Sequence, residues 1–396
     1  KMALKIKKIC FILVLLFEVA YSSLLTFKER IYDPDLYFAA ESRNYPEDPD
    51  TLFVTCRNGG MKVFNISDGK FEMLTQWTTT APVEGQDRYE DWLIVSELRL
   101  GPDGQFPNST APKLHLFDLS TLNTNPLNPV GSVDLSDYID AILHVKFVAP
   151  GNEVWAVCTG GFATTTIGAV VLVNLTAMVM SPSDWVGDDV DGTVNVLSTT
   201  VSEPEGIMIS PQDKSYAYIG GITSTTLAVI DISSFWDAFV TLTRNDVGAQ
   251  LVGATWLDQP HEGEEANFDS GLVFMASWGF DGGLLVVNTT DNSRDPPELS
   301  RSVSYKTSQA NRVKLYPHGG FAFVPLEQEL GGVAVFDISD VKDIKLNSTA
   351  HVPRSEFHNG PDQSFVKSTK TYCLAVSRSD RLYMFIAETA AVYVYT

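Results

Sequence analysis

Two stretches of this chain are near copies of one another: GGMKVFNISD at residues 59–68 and GGVAVFDISD at residues 331–340. Weaker copies lie between them: PKLHLFDLS (112–120), GAVVLVNLT (168–176), TTLAVIDIS (225–233) and GGLLVVNTT (282–290). A worn seventh, AAVYVYT, ends the sequence at 390–396. Each copy opens on a small or turn residue, runs through an aliphatic, β-branched strand, and reaches Asp or Asn followed by Ser or Thr. The copies recur at intervals of about 50–60 residues, too long for the common helical solenoid repeats and right for a unit of several strands.

The residues around each copy supply those strands. TLFVTC, DWLIVS, EVWAVC, SYAYIG, LVFMAS, GFAFVP and TYCLAVS precede the copies as a second strand. A third lies further upstream and ends in a Pro- or Gly-containing turn, as in ILHVKFVAPGN. NPVGSVDL (128–135) and PELSRSVSY (297–305) follow as a fourth. Four short antiparallel strands in each of seven units predict an all-β fold, a seven-bladed β-propeller. The Asp/Asn side chain is expected to bond to backbone two residues on and fix the turn into the outer strand. The last copy leaves no residues for an outer strand. Residues 24–32 are therefore expected to pair antiparallel with 391–396, so that the N-terminal strand closes the ring and covers an open edge.

The copies resemble the repeat of the LVIVD-repeat propeller proteins, whose blades carry a Gly, an aliphatic strand and DIS or DVS. The tails NPVGSV and DPPELSRSV fit that pattern, and residues 204–233 are equally similar to YVTN-type propellers, which include lactonase-like proteins. The likeness touches ten to twenty residues per blade, and the copies at 59–68 and 331–340 lack the Pro usual after DIS. It implies the fold and a frequent extracytoplasmic location.

Residues 1–22 read as a secretory signal peptide or an uncleaved anchor. Lys5, Lys7 and Lys8 form a basic region, Ile9 to Phe17 an apolar run too short to span a bilayer, and Ala20 and Ser22 a small-residue cleavage site. Residues 23–396 then form the propeller, secreted or at the cell surface, with no membrane span in the mature chain. The formal charge of −21 excludes nucleic acid as a partner and suits a protein partner or a small polar or cationic ligand, calcium included. Cys56, Cys158 and Cys373 remain after processing. All three are expected as free thiols, because Cys56 and Cys158 end strands in blades that do not touch.

No G-x-S-x-G, H-E-x-x-H, C-x-x-C or P-loop occurs. The glycine pairs read as hairpin turns. GDDVDG (187–192) lacks the first acid and the final Glu of an EF-hand loop and reads as a solvated acidic loop. Aligning the innermost strands places His144, Glu205 and Asn311 at like positions, with Gln363 and Glu84 near the corresponding places of other blades. These polar residues precede apolar runs and converge on the propeller axis. They could bind a small polar ligand, or a metal ion such as calcium on Glu205, Asn311 and His144, or line a water-filled channel. Sequons stand at Asn65, Asn108, Asn174, Asn288 and Asn347. Asn108, in a Pro/Gly-rich loop, is the best glycan acceptor and Asn347 the second, since the other three fall on the repeat's turn position. Three readings stay open: a glycosylated binding or assembly module, a calcium-dependent lactonase- or esterase-like hydrolase with its site in the channel, and a structural subunit of an extracellular or membrane-attached complex.

Overall fold

A computed structural model describes residues 25–33, 36, 39–45, 48–57, 59–98, 112–122, 126–149, 153–161, 168–181, 194–201, 204–209, 216–221, 226–235, 237–245, 251–256, 272–277, 283–288, 301–304, 310, 312–316, 320–326, 331–340, 342–351, 371–377, 380–386 and 391–396. The signal segment 1–22, Asn108, Asn311, Gln363 and the loop 187–192 lie outside the described residues.

The fold is an all-β propeller. Among the described residues the strands form seven four-stranded sheets, each antiparallel throughout. Sheets are numbered here by their innermost strands: Ala39–Tyr45 in sheet 1, Val83–Tyr89 in sheet 2, Ala141–Val148 in sheet 3, Pro204–Ile209 in sheet 4, Leu251–Trp256 in sheet 5, Lys314–Leu315 in sheet 6 and Thr371–Val376 in sheet 7. Each innermost strand packs against the next, and that of sheet 7 packs against that of sheet 1, so they run in a closed circuit. The outer place of sheet 7 is taken by Phe27–Tyr32, which pairs antiparallel with Ala391–Tyr395.

The cores lie between sheets, not within them. One cluster joins Ile94, Leu114 and Leu116 of sheet 2 to Val145, Ala156 and Val171 of sheet 3. Another joins Val333 and Val335 of sheet 6 to Leu374, Met384 and Tyr393 of sheet 7. Sheets covered on both faces explain why the repeat strands are apolar almost without interruption: every residue from Gly168 to Val173 is buried. Trp77 and Trp155 serve these cores, the first edge-on to Phe117 and the second edge-on to Phe235.

The repeat's polar residues have one structural duty. The side chains of Asn65, Asp118, Asn174, Asp231 and Asp337 each accept a hydrogen bond, at 2.9–3.0 Å, from the backbone N–H two residues later. The glycine at the head of the repeat has another. Gly60 and Gly332 both have positive φ (+96° and +120°), and a Cβ there would fall 2.0 Å from the Trp77 carbonyl oxygen or 2.2 Å from that of Ala350. Each carbonyl belongs to the last residue of the outermost strand of the same sheet. Only glycine lets the turn and the outer strand approach so closely.

Cys56, Cys158 and Cys373 are free and buried. Cys56 and Cys373 share the core between sheets 7 and 1.

Candidate binding site in the central channel

The innermost strands carry a recurring irregularity. A register shift interrupts their pairing between Ala39 and Glu41, Val83 and Gln86, Ile142 and His144, Pro204 and Gly206, Val252 and Ala254, and Thr371 and Cys373. Such β-bulges bend the strand and re-aim its side chains. Threonines of the neighbouring second strand hold two of them in place. Thr55 Oγ1 donates to the Glu84 carbonyl at 2.6 Å, and Thr159 Oγ1 donates to the Glu205 carbonyl at 3.4 Å. Each of these bonds ties one sheet to the next.

The bulges decide where the candidate residues stand. Glu84 and Glu205 lie within the bulge, whereas His144 is the first residue beyond it, where Glu41 and Gln86 stand in sheets 1 and 2. The alignment that set His144 level with Glu205 is therefore off by one residue, which an ungapped comparison of strands cannot detect.

The two bulge carboxylates meet on one guanidinium. Arg312, just before the innermost strand of sheet 6, places NH1 3.3 Å from Glu205 Oε1 and NH2 3.6 Å from Glu84 Oε1. Arg57 closes the other side of Glu84, with Nε 2.5 Å from Oε2 and NH2 2.9 Å from Oε1. Both carboxylates are buried, Glu84 completely. A charge taken out of water needs such a partner.

The residues beyond the bulges form a second group. Glu41 pairs with the Arg43 guanidinium and accepts the Gln86 backbone N–H at 2.9 Å. Burial works to raise its pKa, but the Arg43, Arg312 and Lys146 charges outweigh that and hold it at about 2. Gln86 donates its amide to the Phe53 carbonyl at 3.1 Å. Burial, with Arg312 nearby, pushes the His144 imidazole well below its usual range, so it is neutral. Gln86 Oε1 and His144 Nε2 are buried without a hydrogen-bond partner.

Further along the strands stands a third group. Asp87 Oδ2 accepts the Phe147 N–H at 2.8 Å, while Oδ1 lies 3.4 Å from Arg43 NH1 and 3.3 Å from Lys146 Nζ. Lys314 Nζ donates to the Asn44 carbonyl at 3.4 Å.

Chemically this is an ionic lattice across the axis. The carboxylates that a metal would need, Glu84 and Glu205, have a guanidinium between them. Among the described residues no group of three His, Cys, Asp or Glu is placed to hold a metal ion. Glu41, Arg43, Arg57, Asp87, Gln86, Lys146, Arg312 and Lys314 complete the site and carry no motif. Arg312, next to Asn311, was the nearest to legible. His115, away from the axis, packs on Trp77 and bonds Ser132 Oγ at 2.7 Å. Asn65 and Asn174 serve their turns, and Asn347 is exposed on an outer strand. The side chain of Asn288 lies outside the described residues.

No family model matches the chain, and no curated protein matches it, so the LVIVD- and YVTN-type resemblance rests on the repeat residues alone. Among solved structures it is similar to a chain in the crystal structure of the mitotic checkpoint complex, with a TM-score of 0.60 and 11% identity over 93% of each chain. At that identity the likeness extends to the propeller fold.

Proposed function

We propose that this protein is a secreted or cell-surface binding and assembly module, a seven-bladed propeller closed by its N-terminal strand. Seven sheets in a closed circuit support the blade count, and the pairing of Phe27–Tyr32 with Ala391–Tyr395 supports the closure. The propeller is commonly a protein-interaction fold, and the structural neighbour is part of a protein complex. The observation that carries the reading is the ionic lattice on the axis. Glu84 and Glu205, the acids a hydrolase would commit to a metal, are neutralised by Arg57 and Arg312. These paired groups brace the ring rather than hold a metal. The basic and apolar N-terminal segment supports export, and Asn108 and Asn347 are the proposed glycan positions.

The test is a cross-linked pull-down from the native source, alongside assays of the purified protein on lactones and esters with added calcium. The reading expects a specific protein partner and no hydrolysis above buffer. Hydrolysis that disappears in Glu205→Gln would replace it with the calcium-dependent hydrolase.

A further inference from the structure

The third group of channel residues is richer in cations than its own acids can balance. Arg43, Lys146 and Lys314 come from the innermost strands of sheets 1, 3 and 6, far apart in sequence. Arg43 and Lys146 share one oxygen of Asp87, whose other oxygen is committed to the Phe147 amide. Glu41, the other nearby acid, is held by Arg43 and the Gln86 amide. Lys314 bonds to a backbone carbonyl, and among the described residues no carboxylate lies within ion-pair distance of it. Burial, Arg43 and Lys146 pull its pKa down to about 7. Arg43 and Lys146, with a lysine that is only partly charged at neutral pH, are costly to hold together unless something negative joins them.

The cluster is partly open to solvent at Arg43 and Lys314, whereas Lys146 is buried. The Arg43 side chain is 23% exposed, and Lys314 is half-buried. Beside it the buried His144 Nε2 lacks a hydrogen-bond partner, and in its Nε2–H tautomer it is a donor that an oxyanion can accept from. A positive recess in a chain of net charge −21 is also selective. The acidic net charge disfavours anions over the surface at large, whereas these cations favour them.

We propose that this part of the channel binds a small oxyanion, a carboxylate or phosphate group, through Arg43, Lys146 and Lys314. Arg43 offers a planar fork to two oxygens, and the lysines supply point charges from sheets 3 and 6. The inference deepens the binding-module reading by giving the channel a ligand class. A protein that captured a partner but bound no oxyanion would leave that reading intact and remove this one.

The experiment is titration calorimetry of the full chain with succinate and, separately, inorganic phosphate, in chloride buffer at fixed ionic strength. Saturable one-to-one binding is expected, weakened about tenfold or more in Lys314→Met and unchanged in Lys113→Met, whose lysine pairs with Asp134 away from the axis. Whichever anion binds assigns carboxylate or phosphate. A second readout uses the unaltered protein: acetylation of Lys314 at pH 7, followed by mass spectrometry, is slowed by the bound anion, while that of Lys113 is not. This arm decides the matter if Lys314→Met does not fold. Saturation by neither anion, equal affinity in Lys314→Met, or no protection of Lys314 overturns the proposal.

Discussion

Replacing Arg312 by Met tests whether the lattice on the axis holds the ring together. The guanidinium lies 3.3 Å from Glu205 and 3.6 Å from Glu84. Met fills much of the same volume without charge. Glu84 retains Arg57 at 2.5 Å, so the loss falls mainly on Glu205, whose carboxylate is only 2% exposed. Removing one member of a buried ion pair costs about 3–5 kcal/mol, because the remaining buried charge loses its counter-charge. Unfolding entropy of roughly 2.1 cal/mol/K per residue gives a chain of this size about 0.8 kcal/mol/K, so the midpoint should fall by about 5 °C. Calorimetry and urea titration of Arg312→Met, Glu205→Gln and the double variant provide the check. The double variant should cost less than the two singles combined, by about 1–3 kcal/mol, since neutral Gln no longer needs the cation. Additive losses, or a loss below about 1 kcal/mol in Arg312→Met, would refute the claim that these groups stabilise each other.

Three further outcomes follow from the geometry. Gly332→Ala should destabilise by at least about 1–3 kcal/mol in urea titration, since its φ is +120° and the new Cβ meets the Ala350 carbonyl; Gly161→Ala, with nothing within 4 Å, should be nearly neutral. Glu41 is held at about 2, below its ordinary 4.5, so its contribution is complete above pH 4.5 and lost as pH falls toward 2. Denaturation at stepped pH should show roughly 3 kcal/mol of acid-labile stability that Glu41→Gln lacks. Burial raises the Cys158 and Cys373 thiols, and Cys56 is equally enclosed. A chromogenic disulfide reagent should therefore leave all three untouched in the native protein and titrate them once denaturant is added.

The sheets were legible because each, the outer strand of sheet 7 aside, is a local unit. Its strands follow one another in sequence, its turns are marked by Gly–Gly and Asp–Ile–Ser, and its apolar runs reflect cover on both faces. The channel was legible only in part. Glu84, His144 and Glu205 stand out as polar residues beside apolar runs, but a bulge inserts a residue without any mark in composition, so His144 was aligned one place out. The partners were not legible at all. Arg312 meets Glu205 across 107 residues, and Arg57 meets Glu84 across 27. Such pairs are set by the curvature of the ring, which no periodicity along one strand records. Arg43 and Lys146 likewise find Asp87 from different sheets.

The pairing of Phe27–Tyr32 with Ala391–Tyr395 also sets a schedule. At about 5–20 residues per second, the ribosome delivers the second strand some 20–70 seconds after the first. Throughout that interval the early strand has no partner and offers a bare edge to any other nascent chain. Its sequence, FKERIY, suits the wait: Lys28, Glu29 and Arg30 interrupt the apolar residues with alternating charge, a pattern that discourages edge-to-edge association. Sheets 1 to 6 can form in order as they emerge, whereas sheet 7 depends on both extremes of the described chain. Translation stalled before Ala391–Tyr395 would therefore leave sheet 7 without the strand on which Phe27–Tyr32 pairs.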